Sequence, residues 1–241
     1  MQTTDIYEGR DLEAMAGLSR YYSWILETFE PFLGGHGVEL GAGQGTMSRE
    51  IRPYLEKLDL VEPSENLYCF LEQKFSSDPS VRLIKSTLEN HLAHSHPSSR
   101  DVAVLVNVLE HIEDDQAALS DIAKLLKPGG HLLIFVPALR ILFSDFDELV
   151  GHHRRYHKDQ LQEVTENAGF EIISVRYCDI LGVLPWLLLN RMMGSTNLNP
   201  SLIKIYDVLG TPLTRFIEKI VPVPFGKNLI LVARRPRQDG L

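Results

Sequence analysis

Two stretches of this chain carry residue types that could do chemistry at close range. The first is Gly151-His152-His153-Arg154-Arg155-Tyr156-His157, preceded by Phe143-Ser144-Asp145-Phe146-Asp147-Glu148. His152 or His153 is suited to take up a proton near neutral pH, and Tyr156 to orient a hydroxyl. Arg154 or Arg155 could clamp a carboxylate or phosphate in a bidentate fork. The alternative is internal: Asp145, Asp147 and Glu148 pair with the arginines and brace the loop. The second stretch is Val38-Glu39-Leu40-Gly41-Ala42-Gly43-Gln44-Gly45-Thr46, a buried-strand pattern running into alternate glycines and then a helix. Such glycines permit a sharp turn and let main-chain N–H groups approach a ligand with no Cβ in the way.

Spacing narrows the ligand. A dinucleotide turn wants glycines at 41, 43 and 46, but position 46 is Thr. Glu39, at the strand end, would repel a pyrophosphate and suits a cationic, amino-acid-like ligand. Glu62 lies 21 residues after Gly41, at the end of the run Leu58-Asp59-Leu60-Val61. That is the offset at which a carboxylate reaches a ribose diol in open α/β folds; otherwise Glu62 is a capping or surface acid. Ser64 either caps the next helix or touches an adenine edge.

Four segments, in order, resemble the class I S-adenosylmethionine (SAM) dependent methyltransferases: Glu39 to Gly45, Leu58 to Ser64, Asp101 to Asp115, and Leu126-Lys127-Pro128-Gly129-Gly130-His131-Leu132-Leu133-Ile134. The likeness covers residues 36 to about 136. The Phe-Ser-x-x-Asp run with Gly-His-x-Arg-Arg-Tyr is similar to a bacterial subset among polysaccharide and small-molecule enzymes. The resemblance implies an α/β fold, a doubly wound, mostly parallel, seven-stranded Rossmann-like sheet whose last two strands form an antiparallel edge hairpin. It implies SAM as cofactor and S-adenosylhomocysteine (SAH) as product. It places Glu39, Gly41, Ala42, Gly43, Gly45, Glu62, Pro63, Ser64, Thr87, Leu88, Asn107 and Val108 at the cofactor. An N-terminal lid would bring Tyr21 and Tyr22 to the methionine end and the substrate, where the alternative is that they simply pack.

A sulfonium methyl is already activated, so the protein must align a nucleophile and, for a hydroxyl or amine, remove a proton. His111, in Asn107-Val108-Leu109-Glu110-His111, joins His152, His153 and Tyr156 as a catalytic candidate, or packs beside the cofactor. No Asp/Asn-Pro-Pro-Tyr/Phe run follows the fourth strand and no Pro-Cys pair is present. These absences leave O-methylation, or N-methylation, of a small molecule, with anionic, sugar-bearing or lipid-linked acceptors all compatible. A SAM-binding regulatory or scaffold protein is the main alternative. An aminopropyltransferase would need an acidic polyamine pocket, against which Arg154 and Arg155 speak.

The positioning elements follow from hydrophobic period. The chain has 241 residues, 44% of them hydrophobic, which suits one α/β domain with an insertion. A net charge of −8 argues against a nucleic-acid partner. Strands are expected near 36–40, 58–62, 81–84, 101–107, 131–136, 170–177 and 228–233. Met47, Ile51, Tyr54 and Leu55 mark one helix face, and Leu119, Ile122, Leu125 and Leu126 another. A helix over 158–168 carries Leu161, Val164 and Ala168 and stops at Gly169. The layout is an N-terminal helical lid (1–34, helical from Leu12), a core (35–177), a helical cap (178–227), and a final strand with tail (228–241).

The cap is rich in Leu, Met and Trp, with a helical stretch over 202–220. It reads as a cover for the sheet edge, as a dimer contact, or as an interfacial element that approaches a lipid or lipid-linked substrate. Its apolar run Ile180 to Leu189 is broken by Gly182 and Pro185 and is too short for a transmembrane segment, which needs about 20 residues. Cys69 and Cys178 stand far apart, and the N-terminus shows no secretory pattern, so a cytoplasmic setting is expected. His91, His94 and His96 have no carboxylate or thiol at ligand spacing. They read as a surface loop, and no metal is expected.

Overall fold

The computed structural model describes Tyr7, residues 17–196 and residues 199–237. Seven strands form one sheet: β1 (His36–Leu40), β2 (Lys57–Val61), β3 (Val81–Ile84), β4 (Arg100–Val106), β5 (Leu126–Pro137), β6 (Glu171–Cys178) and β7 (Asn228–Arg234). Their order is β3-β2-β1-β4-β5-β7-β6. The first five pair in parallel, and β7 runs antiparallel to both β5 and β6. The chain builds outward from β1 to β3, then crosses back to place β4 on the other side of β1. Connections at that switch point diverge and leave a crevice at the carboxyl ends of β1 and β4.

Strand β4 explains why the sheet is buried on both faces. Val102, Ala103, Val104 and Leu105 are all fully buried. With a side-chain period of two, Val102 and Val104 join one core cluster, Ala103 and Leu105 the other. The first face is covered by α1 (Ser19–Phe29), through Tyr21, Trp24, Ile25 and Phe29, and by α2 (Thr46–Ile51). Helix α3 (Glu65–Phe75) flanks it. The opposite face takes α4 (Leu88–His94), α5 (Asp115–Leu125) and, beyond the short α6 (Asp145–Leu149), α7 (Lys158–Asn167). Gly169 ends α7's terminal turn at φ +90°, where a side chain would be strained.

Local expectations shift in four places. Tyr54 is 40% exposed, because α2 stops at Ile51 and a tight turn containing Pro53 carries Tyr54 outward. Leu126 leaves the helix and opens β5, whose Lys127-Pro128-Gly129-Gly130 portion bulges against β4, with Gly129 at φ +82°. His91 and His94 lie in helix α4 rather than in a loop, with His91 buried, whereas His96 follows the helix in an exposed loop. The N-terminal helix begins at Ser19; its expected start near Leu12 lies outside the described residues.

The insertion after β6 makes two helical arms. One is α8 (Ile180–Trp186), widening to a π turn over Leu187–Met192 around Pro185. The other is α9 (Pro200–Ile205), running through a π turn (Tyr206–Gly210) into α10 (Thr211–Ile220). The arms pack on α1 and α6, over the carboxyl ends of the strands. Asp179, fully buried, accepts hydrogen bonds from Gly182 N (3.1 Å), Tyr21 OH (3.0 Å) and Tyr206 OH, and pairs with Lys227 Nζ at 3.0 Å. Asp207 reaches across to α1: its carboxylate accepts from Arg20 N (3.2 Å) and Tyr21 N (2.9 Å), which no intrahelical carbonyl would satisfy. The cap is thus fastened by buried carboxylates.

Removing Asp179 by alanine leaves Lys227 without its counter-charge and takes one hydrogen-bond partner each from the Tyr21 and Tyr206 hydroxyls. A stability loss of roughly 3–5 kcal/mol is expected in urea titration. Hydrogen exchange should accelerate first in 180–225 and α1; uniform acceleration across β1 to β5 would contradict this anchoring role.

Candidate active site

The crevice opens into a cavity of about 1440 Å³, walled by the carboxyl ends of β1, β2, β4 and β5 and roofed by α1 and the cap. At one end lies the glycine turn. Gly41, Gly43 and Gly45 have φ of +74°, +55° and +76°. A Cβ at Gly41 would come within 2.6 Å of the Val108 side chain. Gly41 N and Ala42 N donate to Val61 O at 2.9 and 3.0 Å, tying the turn to the end of β2. Glu62 completes the tie, accepting from Gly43 N (2.8 Å) and Ser64 N (2.9 Å).

Two acids therefore face this end from adjacent strands. Glu62 is 4% exposed; burial raises its pKa, and the Ser64 and Gly43 N–H groups partly offset that. Glu39 is 2% exposed, and burial pushes it up to about 8, opposed by the 2.5 Å hydrogen bond from Ser48 Oγ. A buried acid so poor in donors favours a cationic neighbour. The arrangement suits a molecule with a diol and a positive charge, and is unfavourable for a phosphate. Ala42, Pro63, Ser64, Asn107 and Val108 also border the cavity. Asn107 sits at φ +54° with its N–H bonded to Phe135 O at 2.8 Å. Gly45 lies just behind, setting the entry into α2. Thr87 and Leu88 do not border the cavity: Thr87 Oγ1 caps α4 by accepting from Asn90 N at 3.2 Å, and Leu88 is buried in the core.

The other end is organised by Asp147, a fully buried acid that the sequence reading treated only as a loop brace. It accepts from Arg155 Nε (2.8 Å) and Nη2 (3.1 Å), from Ser144 N (2.9 Å) and Oγ (3.0 Å), and from His152 Nδ1 (2.8 Å). Burial works against its ionisation, but the His152 and Arg155 contacts outweigh it and hold Asp147 below the usual carboxylate range. An ionised acceptor fixes the proton of His152 on Nδ1 and leaves the Nε2 lone pair free to accept. His152 borders the cavity with His111, whose ring lies 4.6 Å away, edge to face. Burial lowers His111 to about 4, so it is neutral at physiological pH.

Behind them Glu110, fully buried, has two carboxyl oxygens without a hydrogen-bond partner, one of them 3.8 Å from His152 Nε2. Burial pushes it up to about 7. Glu110, His111 and His152 offer one ligand-type atom each within 4.8 Å of one another, a grouping of two loops that sequence spacing did not connect.

The remaining candidates separate by location. His153 borders the cavity and donates its N–H to Glu110 O at 2.8 Å. Arg155 borders it too, but its guanidinium is committed to Asp147 and stacks 4.7 Å from the Trp186 ring centre. Arg154 and Tyr156 do not border the cavity: both bind Asp115, at 2.7 Å each, and Arg154 also donates to Glu113 O. Burial and Asp115 raise the Tyr156 pKa further, so it cannot serve as a base. Tyr21 and Tyr22 border the cavity, with the Tyr21 hydroxyl spent on Asp179 and Asn228. Phe135, Phe146 and Trp186 are walls that sequence reasoning missed. The Ser144-x-x-Asp147 capping box was the local signal that could have singled out Asp147.

The family described as a methyltransferase domain matches residues 13–175. The chain belongs to that family. Its members use SAM as methyl donor and release SAH, which agrees with the glycine turn and the two acids. The chain is 30% identical over 110 residues to the ubiquinone biosynthesis O-methyltransferase of Pectobacterium carotovorum subsp. carotovorum (strain PC1), covering 45% of the chain and 46% of the relative. To the enzyme of the same name from Vibrio atlanticus (strain LGP32) it is 28% identical over 127 residues, or 52% of each. The chain thus spans about half the length of the curated relatives it matches.

Among solved structures it resembles a methyltransferase of Haloferax volcanii in complex with the Trm112 methyltransferase activator (TM-score 0.68, 16% identity, 95% of each chain). It also resembles a SAM-dependent methyltransferase from Archaeoglobus fulgidus (TM-score 0.62, 16% identity, 94% of this chain and 100% of that one). At these identities the structural likeness establishes the fold.

Two measurements test this geometry. Glu62→Ala should weaken SAM binding ten- to a hundredfold by calorimetry, about 1.5–3 kcal/mol; unchanged affinity would remove Glu62 from the cofactor site. Glu39 and Glu110 keep their protons when folded, whereas both ionise near 4.5 when unfolded. Above that value the unfolded chain binds fewer protons, so their contribution to stability falls as pH rises, until about 7 for Glu110 and about 8 for Glu39. Urea midpoints should follow this slope, and Glu39→Gln should flatten its upper part.

Proposed function

We propose that this methyltransferase methylates a hydroxyl oxygen of a small-molecule acceptor, with His152 as general base. The observation that carries the reading is that His152, oriented by Asp147, opens on the same cavity as the glycine turn, Glu39 and Glu62. When bound, SAM supplies a methyl on a positively charged sulfur whose departure as SAH needs no acid catalyst. The protein's task is then alignment and proton removal. Glu62 would accept from the ribose diol with the lone pairs left after Gly43 and Ser64, and Glu39 would face the cationic amino-acid portion. Asn107 and Val108 line the path between them, and Tyr21 and Tyr22 close it from α1.

A hydroxyl is a poor nucleophile until its proton leaves. His152 Nε2 accepts that proton, and the ionised Asp147 stabilises the resulting imidazolium across the 2.8 Å hydrogen bond. His111, neutral, packs against His152 and limits its rotation. Arg155 holds Asp147 rather than the acceptor, and Arg154 and Tyr156 hold the loop through Asp115. Oxygen is favoured over nitrogen because a dedicated base fits a hydroxyl, and the curated relatives' names are in keeping with it.

The division into lid (1–34), core (35–177), cap (178–227) and final strand with tail (228–241) is proposed as the working layout, with the cap contributing the acceptor side. The cytoplasm is the proposed setting. Among the described residues no helix is long and apolar enough to cross a membrane.

His152→Asn should lower kcat by roughly 10²–10⁴-fold with SAM affinity unchanged. If methyl-labelled SAM binds tightly yet labels no hydroxyl acceptor in library screening, a regulatory SAM-binding role replaces catalysis.

A further inference from the structure

The cap contains an amphipathic helix mounted inside out. Along α9, its π turn and α10, the face turned to the protein carries buried polar groups beside Ile203 and Tyr206, which pack on the core: Asp207, Thr211 and Thr214 are buried, and Glu218 accepts from Ile180 N at 2.9 Å. The opposite face is apolar. Leu202, Ile205, Leu209, Leu213, Phe216 and Ile220 recur at spacings of three and four and are 52–67% exposed. The second arm repeats the pattern with Leu184, Leu188 and Met192. Of the nineteen large apolar side chains that are exposed among the described residues, fourteen lie in this insertion. In water such a helix would roll its apolar stripe inward; here Asp207 and Glu218, with Tyr206 on Asp179, hold it outward. A contiguous surface of this kind marks a docking site.

Charge selects the occupant. The chain carries a net charge of −8, yet among the described residues of 180–225 every exposed charged side chain is basic: Arg191, Lys204 and Lys219. Arg215, partly exposed, is paired with Glu27. Lys204, Arg215 and Lys219 fall on one shoulder of the stripe at helical spacing. Two copies meeting face to face would bring like charges together, whereas anionic headgroups would neutralise them.

We propose that the cap docks this protein on an anionic lipid bilayer, the apolar stripe entering the headgroup boundary and Lys204, Arg191 and Lys219 meeting lipid phosphates. Leu202, Ile205 and Leu209 belong to the stripe and also border the cavity. On the methyl-transfer reading, a membrane-borne acceptor thus reaches the site without crossing water.

The test is flotation of the full chain with phosphatidylcholine vesicles, with and without phosphatidylglycerol. Binding is expected to the anionic vesicles and to weaken at high salt. Phe216→Ser with Leu213→Ser should abolish it, and Lys204→Glu or Lys219→Glu should each cost about fivefold or more in partitioning. None of these four residues borders the cavity, so SAM affinity should stay at the parent value, which also shows that each variant is folded. The proposal is overturned if neither vesicle binds the protein, if binding ignores charge, or if sedimentation shows a dimer that Phe216→Ser dissociates. Vesicle binding that persists with no methyl transfer would fail the catalytic reading alone.

Discussion

A carboxyl group removed from water must either collect donors or keep its proton, and in this protein Glu39 and Glu62 border one cavity while Asp147, Asp179 and Glu110 stand behind side chains that line it. Asp147, Asp179 and Glu62 collect donors. Because those donors come from separate segments, each acid ties them together: Asp147 the turn at 144 with His152 and Arg155, Asp179 helix α1 with the cap and Lys227, Glu62 the glycine turn with the start of α3. Glu39 and Glu110 lack sufficient donors and are pushed towards neutrality. The first group makes the walls rigid. The second supplies protonation states that a cation or a proton transfer can shift.

The sheet and the cap obey opposite rules. In the sheet, Val102 to Leu105 feed two apolar layers, and the strands are held by burial on both faces. In the cap, buried polar groups point inward and Leu213, Phe216 and Ile220 point out, so its attachment rests on a few hydrogen bonds beside the Ile203 and Tyr206 contacts with the core. A region with little apolar burial opens more readily than the core.

Legibility in the sequence followed the range of the interactions. Strand positions, the Gly169 stop and the glycine turn are encoded by side-chain period and by backbone freedom within a few residues, and the structure places them close to expectation. Tyr54 and Leu126 diverged where a helix ended early, since a proline turn and the start of β5 compete with helical period there. Thr87 and Leu88 carry a helix cap and a core contact that look the same in sequence as a ligand contact. His152, His153, Arg154, Arg155 and Tyr156 are adjacent in the chain yet serve different ends, because the irregular loop turns His152, His153 and Arg155 to the cavity and Arg154 and Tyr156 to Asp115.

The sequence by itself determined the parallel sheet, the turn at 41–45 and the acid at 62, because those depend on local period, on glycine's tolerance of positive φ and on one crossover of regular length. That Asp147 aims His152, that Glu110 lies behind it, and that Asp179 fastens α1 to the cap emerge only in three dimensions. Those pairings span from 5 to 158 residues. An acid's partner is set by which donor the folded backbone brings within about 3 Å of it, a distance that spacing along the chain does not encode.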